Sequence, residues 1–259
     1  MRAVLRAAAR LFTLMLLSVM ALQLYFLARV ALMIVVDPQS TSFQRSEAWR
    51  LLVEKQQILW AQEWVDYERI SPHLKRAVIA SEDAEFAEHS GVDWDAIERA
   101  WERNQRAEAL AERLAAQNER RAAKLPAGKA PAAPRPAKVV GGSTITQQLA
   151  KNLFLGSERS LARKGQEFVI TMMLEALLSK QRILEIYLNS VEWGEGLFGA
   201  EAAARHYFRT GAQSLGVMQS ARLAVMLPAP KRFEKRPNSA YVAGRAATIA
   251  ARMGAIDPP

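Results

Sequence analysis

From Leu11 to Val36 the chain is apolar almost without interruption, with Gln23 and Arg29 the only strongly polar breaks. A helix rises 1.5 Å per residue, so roughly 20 such residues cross the hydrocarbon core of a bilayer. Leu11 to Ala28 nearly do so alone, and Arg29 can snorkel to an interface or the span can shift around it. The run exceeds the roughly 7–15 apolar residues of a signal-peptide core, and no small-x-small cleavage site follows before Asp37 and Pro38. Residues 1–36 are therefore expected to be a short stub and an uncleaved transmembrane anchor. Arg2, Arg6 and Arg10 before the span orient the N-terminus toward the cytoplasm and leave the body outside, beside the outer leaflet.

The rest of the 259-residue chain, which is 50% hydrophobic overall, is long enough to bury a core of ordinary size. A net charge of +9 favours an anionic partner: nucleic acid, an anionic membrane surface or a phosphorylated substrate. The absence of cysteine removes disulfides and thiolate chemistry. Residues 37–70 read as a juxtamembrane connecting segment with aromatic punctuation and helix-like spacing. Ser71 as N-cap and Pro72 in the first turn predict a helix that Gly91 can close. Asp93 is the next N-cap, with Trp94, Ile97 and Trp101 as an apolar stripe. Residues 106–138 read as an exposed extension running into a Pro/Ala-rich mobile linker. Ser160 can cap a helix that is apolar nearly all round from Val169 to Leu178, which places it in the middle of the domain. Further helices are predicted from Arg182 to Asn189, Ala200 to Phe208, Ser220 to Leu227 and up to Met253. Almost nothing alternates with period two, so the body is expected to be mainly α.

Three stretches carry candidate chemistry. In AVIASEDAEFAEHSGVD, Glu82, Phe86 and His89 fall at i, i+4 and i+7 of a helical face. Partial desolvation of Glu82 would lift its pKa from about 4.3 toward that of a general base. A solvated acidic face of Glu82, Asp83, Glu85 and Glu88 is the plainer reading, and no paired-histidine spacing supports zinc. In GGSTITQQLAKN, Thr144 and Gln147 form a capping box, while the glycine pair and Lys151 suit an anion at a helix N-terminus. The P-loop order is absent, so ATP is not implied. In ERSLARKGQEF, Arg163 and Lys164 precede Glu167 by four and three residues, either as ordinary intrahelical pairs or, with Lys151 and Arg159, as a clamp for a diphosphate.

These stretches, in this order, together with ILEIYLN, a glycine-rich loop, EAAARHYF and ARLAVMLPAP, resemble the peptidoglycan glycosyltransferase family, the polymerising half of class A penicillin-binding proteins, and in particular its monofunctional membrane-anchored members. The resemblance covers roughly residues 71–239 and implies a mainly α, lysozyme-like glycosyltransferase domain over 71–259 that extends glycan strands from lipid II. It implies that Glu82 is the catalytic base for inverting transfer and that Glu167 assists the departing diphosphate or a bound cation. Lys151 and Arg159 match diphosphate-contacting positions. Gln147, Asn152, Arg163 and Lys164 are implied in the donor site, and Asp83, Phe86 and His89 in shaping the cleft. A divalent cation, Mg or Mn, is admitted by resemblance alone. So are an inner-membrane location with a periplasmic domain, and cell-wall synthases or division proteins as partners.

The 106–138 segment exceeds the family's usual loop, and YFRTGAQ replaces a YFGK-like ending. With neither SxxK nor KTG, no attached transpeptidase is expected. A lysozyme-like fold also serves glycan-cleaving enzymes, and +9 also suits a membrane-tethered scaffold or a nucleic-acid binder; an extracytoplasmic body argues against nucleic acid.

Overall fold

The computed structural model describes residues 1–122, 141–156, 158 and 160–259. Two compact units emerge, one of residues 1–91 with 144–259, the other of residues 92–143. The second unit is built on α4 (Trp94–Ala122). Asp93 caps it by accepting from Ala96 N–H at 2.6 Å, as the sequence indicates. The helix is continuous through Arg106, so the described part of the expected extension is helical as far as Ala122. The Pro/Ala-rich stretch from Leu125 to Lys138 lies outside the described residues.

The first unit opens with α1 (Arg2–Leu32), whose apolar stretch Val4–Leu32 is long and apolar enough to cross a membrane. Its 29 residues would reach about 43 Å at 1.5 Å each, some 13 Å more than a hydrocarbon core of about 30 Å. The surplus belongs to the body: Phe26, Val30 and, just beyond the helix, Met33 are buried in the main core. Arg182 secures the exit, donating to Met33 O at 2.9 Å and pairing with Asp37 at 2.7 Å. The last turns of the helix predicted as an anchor thus also pack into the core.

The connecting segment holds α2 (Ser42–Lys55), started by a capping box between Thr41 and Gln44, and a two-residue strand β1 (Ala61–Gln62). Ser71 and Pro72 start α3 (Pro72–Glu82) as expected, but the helix ends at Glu82 rather than near Gly91. Asp83 leaves the helical region (φ −164°, ψ 75°) and turns its carboxylate toward another helix, and residues 84–90 follow as turns and bends. The spacing of Glu82, Phe86 and His89 on one helical face is therefore not realised. Gly91 closes this turn with φ +85°, where a Cβ would lie 2.7 Å from Thr171 Cγ2.

Next come α5 (Ile145–Phe154), α6 (Leu161–Leu177) and α7 (Lys180–Ser190), capped by Thr144, Ser160 and Ser179. The α6 helix packs against α5 and α1. Ile170, Thr171 and Leu174 are buried, but Phe168, Val169 and Ala176 are exposed. The expectation of a helix surrounded by protein fails because hydropathy does not distinguish a protein neighbour from a lipid one.

Strands β2 (Glu192–Gly194) and β3 (Leu197–Phe198) complete a small sheet of order β1-β3-β2, parallel for β1/β3 (Ala61 opposite Leu197) and antiparallel for β2/β3. Such short strands leave no readable alternation. The chain continues through α8 (Ala200–Phe208), α9 (Val217–Met226), α10 (Pro230–Phe233) and α11 (Ala240–Arg252). The core of this unit is α3 against α9 and α11, with α5 against α6 and α7.

A knot of charges joins α2, β2 and α10. Lys231 reaches Glu47 at 2.5 Å and Glu192 at 3.5 Å, and Arg50 bridges Glu47 and Glu195. Glu192 is only 6% exposed, and its Oε1 accepts no hydrogen bond among the described residues. Burial pushes its pKa up to about 7, against the pull of Lys231. The unfolded carboxyl ionises near 4.3, so stability is lost as pH rises from there to about 7. Glu192→Gln should therefore match the native Tm near pH 4 and exceed it by several degrees at pH 8, measured on detergent-solubilised protein.

Candidate active site

The site is assembled around α5. Its N-terminus is already occupied: Thr144 Oγ1 accepts from Gln147 N–H at 3.2 Å, Gln147 Oε1 accepts from Thr144 N–H at 3.3 Å, and Asp83 Oδ2 accepts from Ile145 N–H at 2.9 Å. The anion that a helix start attracts is thus an internal carboxylate. These three N–H groups are used within the fold, and Gln147 is buried in the cap. Asp83 Oδ1 meanwhile meets His89 Nε2 at 2.8 Å, His89 Nδ1 accepts from Gly91 N–H at 3.1 Å, and Thr144 donates to Gly91 O at 2.7 Å. Asp83 and His89 therefore tie the end of α3 to the start of α5. Phe86 is fully buried, with the Lys180 ammonium 4.6 Å from its ring centre.

This tie delivers Glu82 to the side of α5. Gln148, one residue beyond the capping glutamine, donates to Glu82 Oε2 at 3.0 Å and accepts from the buried Tyr187 hydroxyl at 3.0 Å. Desolvation lifts the Glu82 pKa above the ordinary carboxylate range and the nearby Asp83 charge adds to it, while the Gln148 hydrogen bond holds it down. Gln148 was not singled out in the sequence. Its neighbour Gln147 drew attention as the third residue of a capping box, and only the position of Glu82 tells the two amides apart.

Three residues after Gln148, and so on the same side of α5 about 4.5 Å along its axis, stands Lys151. Desolvation lowers its pKa below the ordinary lysine range; Glu167 opposes this, and the like charges of Arg163 and Lys164 reinforce it. Those three come from α6. Glu167, 4% exposed, takes Arg163 on one oxygen at 2.8 Å and Lys164 on the other. Three cations around one carboxylate leave a net positive charge, and Arg163 Nε, though buried, has no hydrogen-bond partner among the described residues. Lys151, Asn152 and Arg163 share a concavity of about 310 Å³ with Phe43, Ser46 and Leu155. The contribution of α2 through Phe43 and Ser46 had no signal in the sequence. Arg159 lies outside the described residues. Among the described residues no three His, Cys, Asp or Glu side chains are grouped as metal ligands would be.

A family model described as Transglycosylase matches residues 52–112 and 131–254. The chain belongs to the transglycosylase family. Similar proteins include the biosynthetic peptidoglycan transglycosylases of Burkholderia lata, 51% identical over 240 residues covering 93% of this chain and 86% of that one, and of Burkholderia thailandensis, 51% identical and covering 93% and 83%. That of Burkholderia cenocepacia is 50% identical over the same share of this chain. In this transglycosylase, then, α5 sets Gln148 against Glu82 at the end of α3 and, a turn later, carries Lys151 on the wall of a cationic concavity.

The hydrogen bond from Gln148 stabilises the ionised form of Glu82. Its removal in Gln148→Leu is expected to move the acid limb of the kcat/KM profile to higher pH by up to about one unit, measured in a glycosyl-transfer assay between pH 4.5 and 8. A limb that stays in place or moves to lower pH contradicts the assigned geometry.

Proposed function

We propose that this transglycosylase polymerises lipid II into β-1,4-linked glycan strands, with Glu82 as the general base and the group of Lys151, Arg163 and Lys164 as the clamp on the departing undecaprenyl diphosphate. The chain is a glycosyltransferase of peptidoglycan synthesis. The observation that carries the finer reading is the division of labour along α5: a desolvated carboxylate held by Gln148, and Lys151 one turn on beside the Arg163–Glu167–Lys164 cluster.

An inverting displacement needs both ends. Glu82 takes the proton of the acceptor 4-hydroxyl as its oxygen bonds to C1 of the donor sugar. The bond from C1 to the diphosphate oxygen breaks, and the diphosphate leaves with the electron pair from the opposite face. The negative charge it gains meets cations already in position. Glu167 acts on them by fixing Arg163 and Lys164, and the free Arg163 Nε–H points to an incoming oxygen. Phe43 and Leu155 beside these polar groups suit a polar head joined to an apolar tail. Arg159, by resemblance, adds to the clamp.

Both Glu167 oxygens are engaged by cations, and among the described residues no other carboxylates or histidines group around them as a ligand set, so no step is assigned to a divalent ion. Arg2, Arg6 and Arg10 ahead of the span support a cytoplasmic N-terminus, with the catalytic body on the outer face of the inner membrane. Contacts with other cell-wall synthases or division proteins belong to the same expectation.

The reading is tested with labelled lipid II and the full chain in detergent. Glu82→Gln should lower kcat by about 100-fold or more, at the lower end of what a general base contributes. Lys164→Gln should weaken the donor side by roughly tenfold, the scale of one charge-assisted contact. Release of fragments from finished glycan, in place of polymer from lipid II, would reassign the site to glycan cleavage.

A further inference from the structure

The one amide in the apolar stretch of α1, Gln23, is not left to the lipid. Its Nε2 donates to Gln166 Oε1 at 2.8 Å, and Gln166 Nε2 donates back to Gln23 Oε1 at 3.0 Å. An unpaired side-chain amide in or at the edge of hydrocarbon is costly, and such pairs hold membrane helices together. Gln23 sits where α1 passes from the exposed, lipid-type surface of its first two-thirds to the buried Phe26, Val30 and Met33. Its partner is no bystander. Gln166 precedes Glu167 and follows Arg163 by three residues, one turn of α6.

One turn after Gln23, Phe26 meets the Phe154 ring edge-on at 5.3 Å between centroids. Phe154 is the last residue of α5, one turn beyond Lys151. The membrane helix therefore touches both cation-bearing helices, each within a turn of its cations. Leu161 at 92% exposure, with Phe168 and Val169 also open, gives α6 the same apolar exterior as α1.

We propose that Gln23 is a positioning residue for glycosyl transfer. The Gln23–Gln166 amide pair, with Phe26 on Phe154, sets the rotation and spacing of α6 against α5, and so the geometry of the diphosphate clamp. This rests on the clamp reading of Lys151, Arg163 and Lys164. On it, α1 is part of the donor site as well as its tether. A tether has no use for an amide at this position, and leucine there would favour insertion more strongly.

The two roles give opposite expectations for Gln23→Leu. The full chain is reconstituted in detergent, and inhibition by undecaprenyl diphosphate is measured for the native chain, Gln23→Leu, Gln166→Leu, the double variant and Lys164→Gln, alongside the kcat/KM pH profile. Each single latch variant should raise the inhibition constant about five- to tenfold, the double variant should be no worse than either, and the acid limb set by Glu82 should stay in place. Lys164→Gln should weaken the same inhibition. If Lys164→Gln does so while Gln23→Leu leaves the constant unchanged, the latch is refuted. A Gln23→Leu chain that loses activity with an unchanged inhibition constant refutes it too, since that is a loss of active protein. If Lys164→Gln changes nothing, the clamp reading fails and the latch falls with it.

Discussion

A single buried carboxylate decides where the chemistry can sit. Asp83 ends α3, accepts Ile145 N–H at the start of α5 with one oxygen, and holds His89 with the other. These contacts join segments separated by 62 positions in the chain. Because Asp83 follows Glu82 directly, fixing its side chain also fixes Glu82 beside Gln148. The helix-start partial charge that in other folds receives a substrate phosphate is here neutralised from within. On the proposed reading, the substrate diphosphate is left to side chains further along α5 and at the start of α6.

The proposed base and clamp are thereby coupled through one short element. Gln148 and Lys151 are a turn apart on α5, so neither can shift without the other. The α6 cations are held by Glu167 and by the packing of α5, α6 and α1. The pKa directions agree with this layout. Desolvation raises Glu82, and desolvation, reinforced by the like charges of Arg163 and Lys164, lowers Lys151. Displacements of this kind are what the proposed roles require.

Much of this was legible in the residues. Local rules placed the caps Ser71, Asp93, Thr144 and Ser160, because a cap depends on a few neighbouring residues. The apolar length of α1 marked a candidate span, and the spacing of Arg163, Lys164 and Glu167 marked the ion pairs they form. What escaped depends on contacts distant in sequence. The end of α3 at Glu82 is set by Ile145, and the choice of Gln148 over Gln147 by the location of Glu82. Phe43 and Ser46 reach the concavity from a segment whose role had no local signature. The last turns of α1 read as membrane because Phe26 and Val30 are equally apolar against lipid or protein. Strands of two and three residues are too short to alternate.

The pH–rate profile of Asp83→Asn in lipid II polymerisation tests the central claim most directly. Asparagine cannot accept both Ile145 N–H and His89 in place of the carboxylate, so kcat should fall by about tenfold or more as Glu82 loses its seat. Loss of the adjacent negative charge should also move the acid limb to lower pH, since that charge raises the Glu82 pKa. A profile that overlays the native one, in height and in midpoint, would contradict the account.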